Sequence, residues 1–241
     1  MAEPWIDVDY RVRFDEAGSD GRIHASVLLA WAQDAAWVHS TSLGFDRAWY
    51  ARHGLTWLVR GAEVVVVDAP SYGDGVVVRT EIVGYRRVLA RRLTTCRSPG
   101  DETLARIVTD WALVDERGRP VRIPEDFGRL VCVPSFDPID VPSRGEDEPI
   151  GNVALAVRAR DVDPLGHANN AAYIDYVDEA LHRAGVHDVG RASRTYRLIY
   201  RRPALGGTTL SVAVFRQREG ALLALRDEAG AEIARASLTD D

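Results

Sequence analysis

The 241-residue chain has no apolar run approaching the roughly 18 residues that a membrane span requires; its longest branched-chain stretch, Val64 to Val67, is bracketed by Glu63 and Asp68. Its opening, MAEPWIDVDY, carries acids where a targeting peptide would carry basic residues, and no apolar h-region follows. A cytoplasmic protein with no membrane partner is expected. Cysteine is scarce. Cys96 and Cys132 are the only two, with no CxxC, too few by themselves for a disulfide framework or a four-ligand zinc site, so both are read as structural thiols. A basic excess is missing too: 30 basic against 36 acidic residues leave a formal net charge of -6, which argues against a nucleic-acid partner, because binding the phosphate backbone needs a basic face. Lysine is absent altogether. Forked guanidinium groups suit phosphate and carboxylate ligands, but surface Arg and Lys do much the same job, and the all-arginine composition singles out no partner.

What is present describes a globular chain. With 46% hydrophobic and 27% charged residues, disorder, collagen and disulfide scaffolds are excluded, and the length allows one large domain or two small ones. Six of the 11 prolines, Pro120, Pro124, Pro134, Pro138, Pro142 and Pro149, fall in one stretch together with the acidic GEDE of residues 145–148. That is a linker composition. It divides the chain into residues 1–128, a linker at 129–150, and residues 151–241.

The two parts repeat the same order of features. Tyr10, Val12 and Phe14 alternate with Arg11 and Arg13, as Val153, Leu155 and Val157 alternate with Ala154, Ala156 and Arg158. A polar loop follows in each, DEAGSDGRIH and RDVDPLGHANN, and placing Gly21 on Gly166 gives an offset of 145. A helix is predicted next. Leu28, Trp31, Ala35 and Val38 form the first stripe, broadened by Leu29, Ala32 and Ala36 and stopped near Gly44; Tyr173, Tyr176, Val177, Ala180, Leu181 and Ala184 form the second, ending at Gly185. Thereafter the period becomes 2 and about four antiparallel strands are expected in each part. A broadly apolar helix followed by a meander suggests a helix buried against one face of a curved sheet.

This layout, and above all the segment DVDPLGHANNAAYIDYVDEAL at 161–181, resembles the hotdog fold of acyl thioesterases, and the doubled form with a linker resembles the acyl-acyl-carrier-protein thioesterases. The first part carries a similar DxxxxGR loop, a helix with AQDAA and a GLTWLV strand start; the second carries the GHxNNxxYxxY signature. The resemblance implies an α+β tandem hotdog, two antiparallel sheets each packed around one long helix and joined as a pseudo-dimer. It also implies that the second unit carries the chemistry, since Gly18 falls where Asp163 stands and Arg22 where His167 stands. The implied substrate is an acyl thioester of acyl carrier protein or of coenzyme A, cleaved without metal or redox cofactor; a homodimer of such chains is compatible with it.

Thioester hydrolysis needs a group that attacks or activates water, and donors for the developing oxyanion. Asp163 suits the first role, as nucleophile or as general base, with a turn-forming Asp before Pro164 as the structural alternative. Gly166 and His167 are placed where the loop meets the helix, whose outward N–H groups would make an oxyanion hole; His167 could also orient the carbonyl or position water. Asn169 and Asn170 are expected to cap the helix, one of them also holding the acid or the attacking water. Gln33, in an otherwise apolar helix beside Asp34, is a further candidate because in two-unit hotdogs a polar residue on one unit's helix can face the other unit's loop. Asp175, Asp178 and Glu179 fall off the second stripe and read as a solvated face. The arginine pairs 86/87, 91/92 and 201/202 read as paired surface residues on strands, or as a receptor for a pantetheine phosphate or an acidic carrier.

The sequence departs from the plant members of that family. Leu165 occupies the position of an Asn two residues before the His, and Arg201 and Arg202 are followed by Pro203 and Ala204 instead of a Glu and a Cys. Asp163 and His167 remain as the core shared with simpler coenzyme A thioesterases. Two other functions compete: a hotdog enoyl hydratase, whose Asp-to-His step is five residues where this one is four, and a non-catalytic acyl or carrier-protein binding module.

Overall fold

The structure is a computed structural model and describes residues 4–124, 127, 136–143, 148–186 and 193–240. Cys132 and the linker residues 129–135 and 144–147 lie outside the described residues. The first part contributes strands β1 (Trp5–Arg11), β2 (Leu55–Val66), β3 (Gly75–Arg86), β4 (Leu89–Arg97) and β5 (Thr103–Asp115), with helices α1 (Ala25–Ser42) and α2 (Arg47–His53). The second contributes β6 (Gly151–Ala156), helix α3 (Ala172–Arg183), β7 (Arg194–Tyr200), β8 (Thr209–Gln217), β9 (Gly220–Arg226) and β10 (Glu232–Asp240). Strand, loop, long helix and four further strands thus occur twice, with α2 an addition of the first part that the stripe pattern did not suggest.

All ten strands form one antiparallel sheet in the order β1-β3-β4-β5-β2-β7-β10-β9-β8-β6. The two five-stranded halves join where β2 runs antiparallel to β7, with Gly61 opposite Ile199 and Val66 opposite Arg194. Strand alternation sends Val64 and Val66 of β2 and Tyr196 and Leu198 of β7 to the face covered by the helices, where both halves share a single hydrophobic core. The breadth of the α1 stripe has its cause here. Leu28, Leu29, Trp31, Ala32, Ala35 and Ala36 are all buried because α1 is pressed between the sheet and α3. Each fully buried leucine contributes about 1.5–3 kcal/mol of transfer free energy. The expected stops hold: Gly44 and Gly185, just beyond the helix ends, have positive φ.

Phe14 does not continue the first strand. It lies in a 3₁₀ turn, Phe14–Glu16, exposed and edge-on to Tyr72, because β1 ends at Arg11 once Val12 has turned into the core.

The proline-rich segment is more than a tether. Residues 136–143 run as a strap over the face of the sheet opposite the helices, where Val141 is fully buried against Ile199 and Leu222. Two glycines make room for it: a Cβ on Gly84 would stand 2.6 Å from the Phe136 ring and one on Gly61 would stand 3.0 Å from Ile139. Both glycines follow register shifts in their strands. Arg91 fastens the strap, stacking on Phe136 at 4.1 Å and donating to the Asp137 carbonyl, while Asp110 accepts the Ile139 N–H.

Candidate active site

The loop between β6 and α3 is anchored from below. Asp161 ends a 3₁₀ turn, Ala159–Asp161, and accepts from the Arg158 N–H at 3.0 Å, Arg158 Nε at 2.9 Å and the Tyr176 hydroxyl at 2.9 Å. Burial alone would raise its carboxyl, but these donors outweigh burial and hold it below the usual range. From this anchor the chain turns back on itself: Asp163 N–H donates to His167 O, Gly166 N–H to Asp163 O, and Asn169 N–H to Asp161 O, all at 2.8–2.9 Å. Gly166 has φ +85°, which is why glycine stands there.

The loop brings Asp163 and His167 side by side. Asp163 Oδ1 accepts the Leu165 N–H at 2.8 Å, and Oδ2 lies 3.6 Å from His167 Nδ1, with the two side chains only 13% and 21% exposed. That separation is longer than a direct hydrogen bond, so the pair is adjacent without being locked together. Beneath it lie three tyrosines: Tyr173 packs edge-on against Tyr176 and Tyr200. Burial pushes the Tyr173 hydroxyl up to about 12, a backbone contact with Ala204 opposes the rise, and the charge of Asp163 adds to it. The Tyr200 hydroxyl donates to Asn170 O at 3.0 Å. Tyr173 and Tyr176 stood in the sequence as members of the apolar stripe of α3, with their hydroxyls unassigned, while Tyr200 ends β7 and was not singled out.

Gln33 proves to be a member of this group. From the middle of α1 in the other half, its Nε2 donates to Asn169 Oδ1 and its Oε1 accepts from Asn170 Nδ2, both at 3.0 Å. One amide thus clamps both asparagines across the junction of the halves. Neighbouring Asp34 plays no part in the clamp and accepts from the Tyr10 hydroxyl at 2.6 Å.

Several expectations need correcting. Gly166 and His167 do not sit at a helix N-terminus: α3 begins at Ala172, and the Gly166 N–H is already bonded within the loop. The partner of that N–H is Asp163 O, at 2.9 Å. The capping expectation holds for Asn169 and not for Asn170: Asn169 Oδ1 accepts the Ala171 N–H at 2.9 Å in the turn that leads into α3, ahead of Ala171 itself, which makes no side-chain cap bond, whereas the Asn170 side chain is given to Gln33.

The solvated face on α3 holds only for Glu179, which pairs with Arg183 at 2.6 Å. Asp175 is partly buried against Ser26 and its carboxyl is raised, first by burial. Asp178 is partly buried as well, accepts from the Tyr196 hydroxyl at 2.9 Å, and is pushed up to about 6, mainly by burial. Nor are most of the arginine pairs free receptors. Arg91 is bidentate to the buried Asp110 at 2.7 and 2.8 Å, Arg92 is buried 3.0 Å from His39, Arg86 bonds the Phe136 carbonyl, and Arg201 meets Glu232. Cys96 is the structural thiol expected, fully buried and pushed up to about 12 by desolvation.

The first-half loop has the same skeleton. Gly18 N–H donates to Arg22 O, Gly21 N–H to Gly18 O, and His24 N–H to Glu16 O, so the offset of 145 holds bond for bond through the loop and into both helices. In place of Asp163, His167 and Asn169 it carries Gly18, Arg22 and His24. Among the described residues no cluster of three His, Cys, Asp or Glu could hold a metal ion, and no helix is long and apolar enough to cross a membrane.

Comparison with known proteins gives a consistent result. Residues 5–131 match the model of the acyl-ACP thioesterase N-terminal domain, ACP being acyl carrier protein. A chloroplastic acyl-[acyl-carrier-protein] hydrolase of Cuphea viscosissima is 24% identical over 191 residues, which cover 71% of this chain and 46% of that protein. The chain spans about half the length of the curated relatives it matches. Among solved structures, an acyl-ACP thioesterase from Bacteroides thetaiotaomicron superimposes with a TM-score of 0.81 at 15% identity, covering 99% of this chain and 98% of that one. The 12:0-ACP thioesterase from Umbellularia californica gives 0.81 at 20% identity, covering 99% and 98%. The fold is the tandem hotdog.

Proposed function

The chain belongs to the acyl-ACP thioesterase family, and on that premise we propose that it hydrolyses a fatty or related acyl thioester of acyl carrier protein to the free acid and the carrier thiol, in fatty acid metabolism. The observation that carries this reading is the geometry of Asp163: one carboxyl oxygen is tied to Leu165 N–H, the other lies 3.6 Å from His167, and the loop beneath is clamped from the opposite half.

Asp163 Oδ2 is the oxygen that attacks the thioester carbonyl or takes the proton of an attacking water. His167 stands next to it to orient the carbonyl or hold that water. The oxyanion needs donors that the loop has not already used. Asn169 meets this condition: its Oδ1 is engaged by Gln33 and Ala171, and the N–H groups of its amide are the donors assigned to the oxyanion. Asn170 and Gln33 act as positioning residues. In this division of labour the first unit, residues 1–128, shapes the pocket and supplies Gln33, and the second, residues 151–241, supplies the reacting groups, with 129–150 joining them.

The test is thioester cleavage on a panel of acyl-ACP and acyl-coenzyme A substrates by wild type and Asp163→Asn. Turnover is expected to fall at least about 100-fold in the variant, the scale for removing a nucleophile or base. Full activity in the variant would remove Asp163 from the mechanism, and acyl ligand bound but cleaved by neither protein would leave a binding module. The ratio of ACP to coenzyme A rates decides the carrier.

A further inference from the structure

A cavity lies beneath the first-half loop. Its volume is about 390 Å³, and Gly18, Arg22 and His24 line it from the first half while Asp178, Arg194 and Tyr196 line it from the second. By the 145-residue correspondence it occupies the position of the Asp163 site. The same correspondence carries Gln33 of α1 onto Asp178 of α3: Gln33 bonds the loop of the other half, and Asp178 lines a cavity whose opposite wall is the first-half loop. The acid missing from the loop at Gly18 is thus matched by an acid on the opposing helix.

We propose that this cavity is a second, slower thioester-hydrolysing site in which Asp178 is the general base. The proposal rests on the reading of Proposed function for its substrate class, an acyl thioester on a pantetheine-bearing carrier. Asp178 Oδ1 is fixed by the Tyr196 hydroxyl at 2.9 Å, and Arg194 in turn donates to that hydroxyl at 3.1 Å, so the remaining oxygen, Oδ2, is the one presented to water. Water adds to the thioester carbonyl carbon as Oδ2 takes its proton; collapse of the tetrahedral adduct breaks the carbon–sulfur bond, and the departing thiolate recovers that proton. Acid and thiol leave with nothing else consumed. Arg22 is the donor for the oxyanion, since its contact with exposed Asp68 is loose at 3.6 Å. His24 adds an imidazole at the place of Asn169 and forms no side-chain cap on α1.

Titratable and charged groups face Asp178 from three elements. Asp175 on the same helix repels it, Arg194 and Tyr196 face it from β7, and Asp20, Arg22 and His24 line the cavity from the loop. Burial prevails and brings its carboxyl up to about 6, near the value at which a general base works best at neutral pH.

The experiment measures cleavage of the best wild-type substrate by Asp163→Asn and by the Asp163→Asn/Asp178→Asn double variant between pH 5 and pH 8. Asp163→Asn is expected to keep a residual rate that rises as pH passes through about 6 and falls at least about tenfold when Asp178→Asn is added, a modest share of what a general base supplies. Asp163→Asn with His24→Ala, which removes no cap, is expected to lose part of the same residual rate. No measurable residual rate in Asp163→Asn, or a residual rate that the second substitution leaves untouched, overturns the proposal. Failure of the Asp163 reading looks different, because Asp163→Asn would then turn over like wild type.

Discussion

Replacing Gln33 with leucine tests whether the contact between the halves governs the loop that carries Asp163 and His167. The substitution keeps the side-chain size and removes two hydrogen bonds of 3.0 Å, one to each asparagine. Asn169 Oδ1 retains the Ala171 N–H, so its loss is partial, whereas the Asn170 amide is left without Gln33 in a partly buried place. At about 1 kcal/mol for each neutral bond, the expected loss of stability is about 2 kcal/mol. For a chain of this length that lowers Tm by about 4–8 °C. Roughly half of the loss is expected to reach the transition state as a misplaced Asn169, which lowers kcat by about fivefold to tenfold while KM changes less than about twofold. Gln33→Glu keeps the acceptor for Asn170 and loses the donor for Asn169, so it should fall between wild type and Gln33→Leu in kcat. Calorimetry and steady-state kinetics on the three proteins read both effects. A Tm within about 1 °C of wild type together with an unchanged kcat would show that the clamp neither stabilises nor positions the loop.

Two further outcomes follow from groups away from the site. Asp110→Ala leaves Arg91, only 20% exposed, without its bidentate partner and removes the acceptor of the Ile139 N–H, so urea unfolding should show a loss of about 3 kcal/mol; a loss below about 1 kcal/mol would mean the strap is held by its apolar contacts alone. Cys96, fully buried with its thiol pushed up to about 12, should resist thiol reagents in the folded protein and react only on unfolding, and rapid labelling under native conditions would contradict that burial.

Much of the architecture was legible along the chain. The stripes of both helices, their stops at Gly44 and Gly185 and the four strands after each are set by period and by turn residues, which act over a few neighbours. The matched loops were legible for the same reason: a positive φ at Gly21 and Gly166 is a local demand. Where the reading went astray, the deciding partner lay far off in sequence. Asp178 and Glu179 are neighbours with the same charge, yet one turns to the cavity and Tyr196 while the other turns to solvent and Arg183. Arg91 looked like surface charge because nothing local signalled that Asp110 would stand beside it on the next strand, or that the strap would cross above. The expectation of a helix N-terminus at Gly166 failed differently, because α3 begins only at Ala172 and a turn bond engages the Gly166 N–H inside the loop.

The sequence alone therefore determined the two similar units, the long helix and four following strands in each, and the residue types of the loop that carries Asp163 and His167, because spacing, glycine and side-chain chemistry are local properties. Only the tertiary structure decided that the halves fuse through β2 and β7 into one sheet, that Gln33 closes on Asn169 and Asn170, and that Asp178 leaves water for a cavity opposite Gly18. Those outcomes depend on how one helix face docks against a loop more than 130 residues away. Packing of a shared core selects that docking, and the periodicity of either segment by itself carries no record of it.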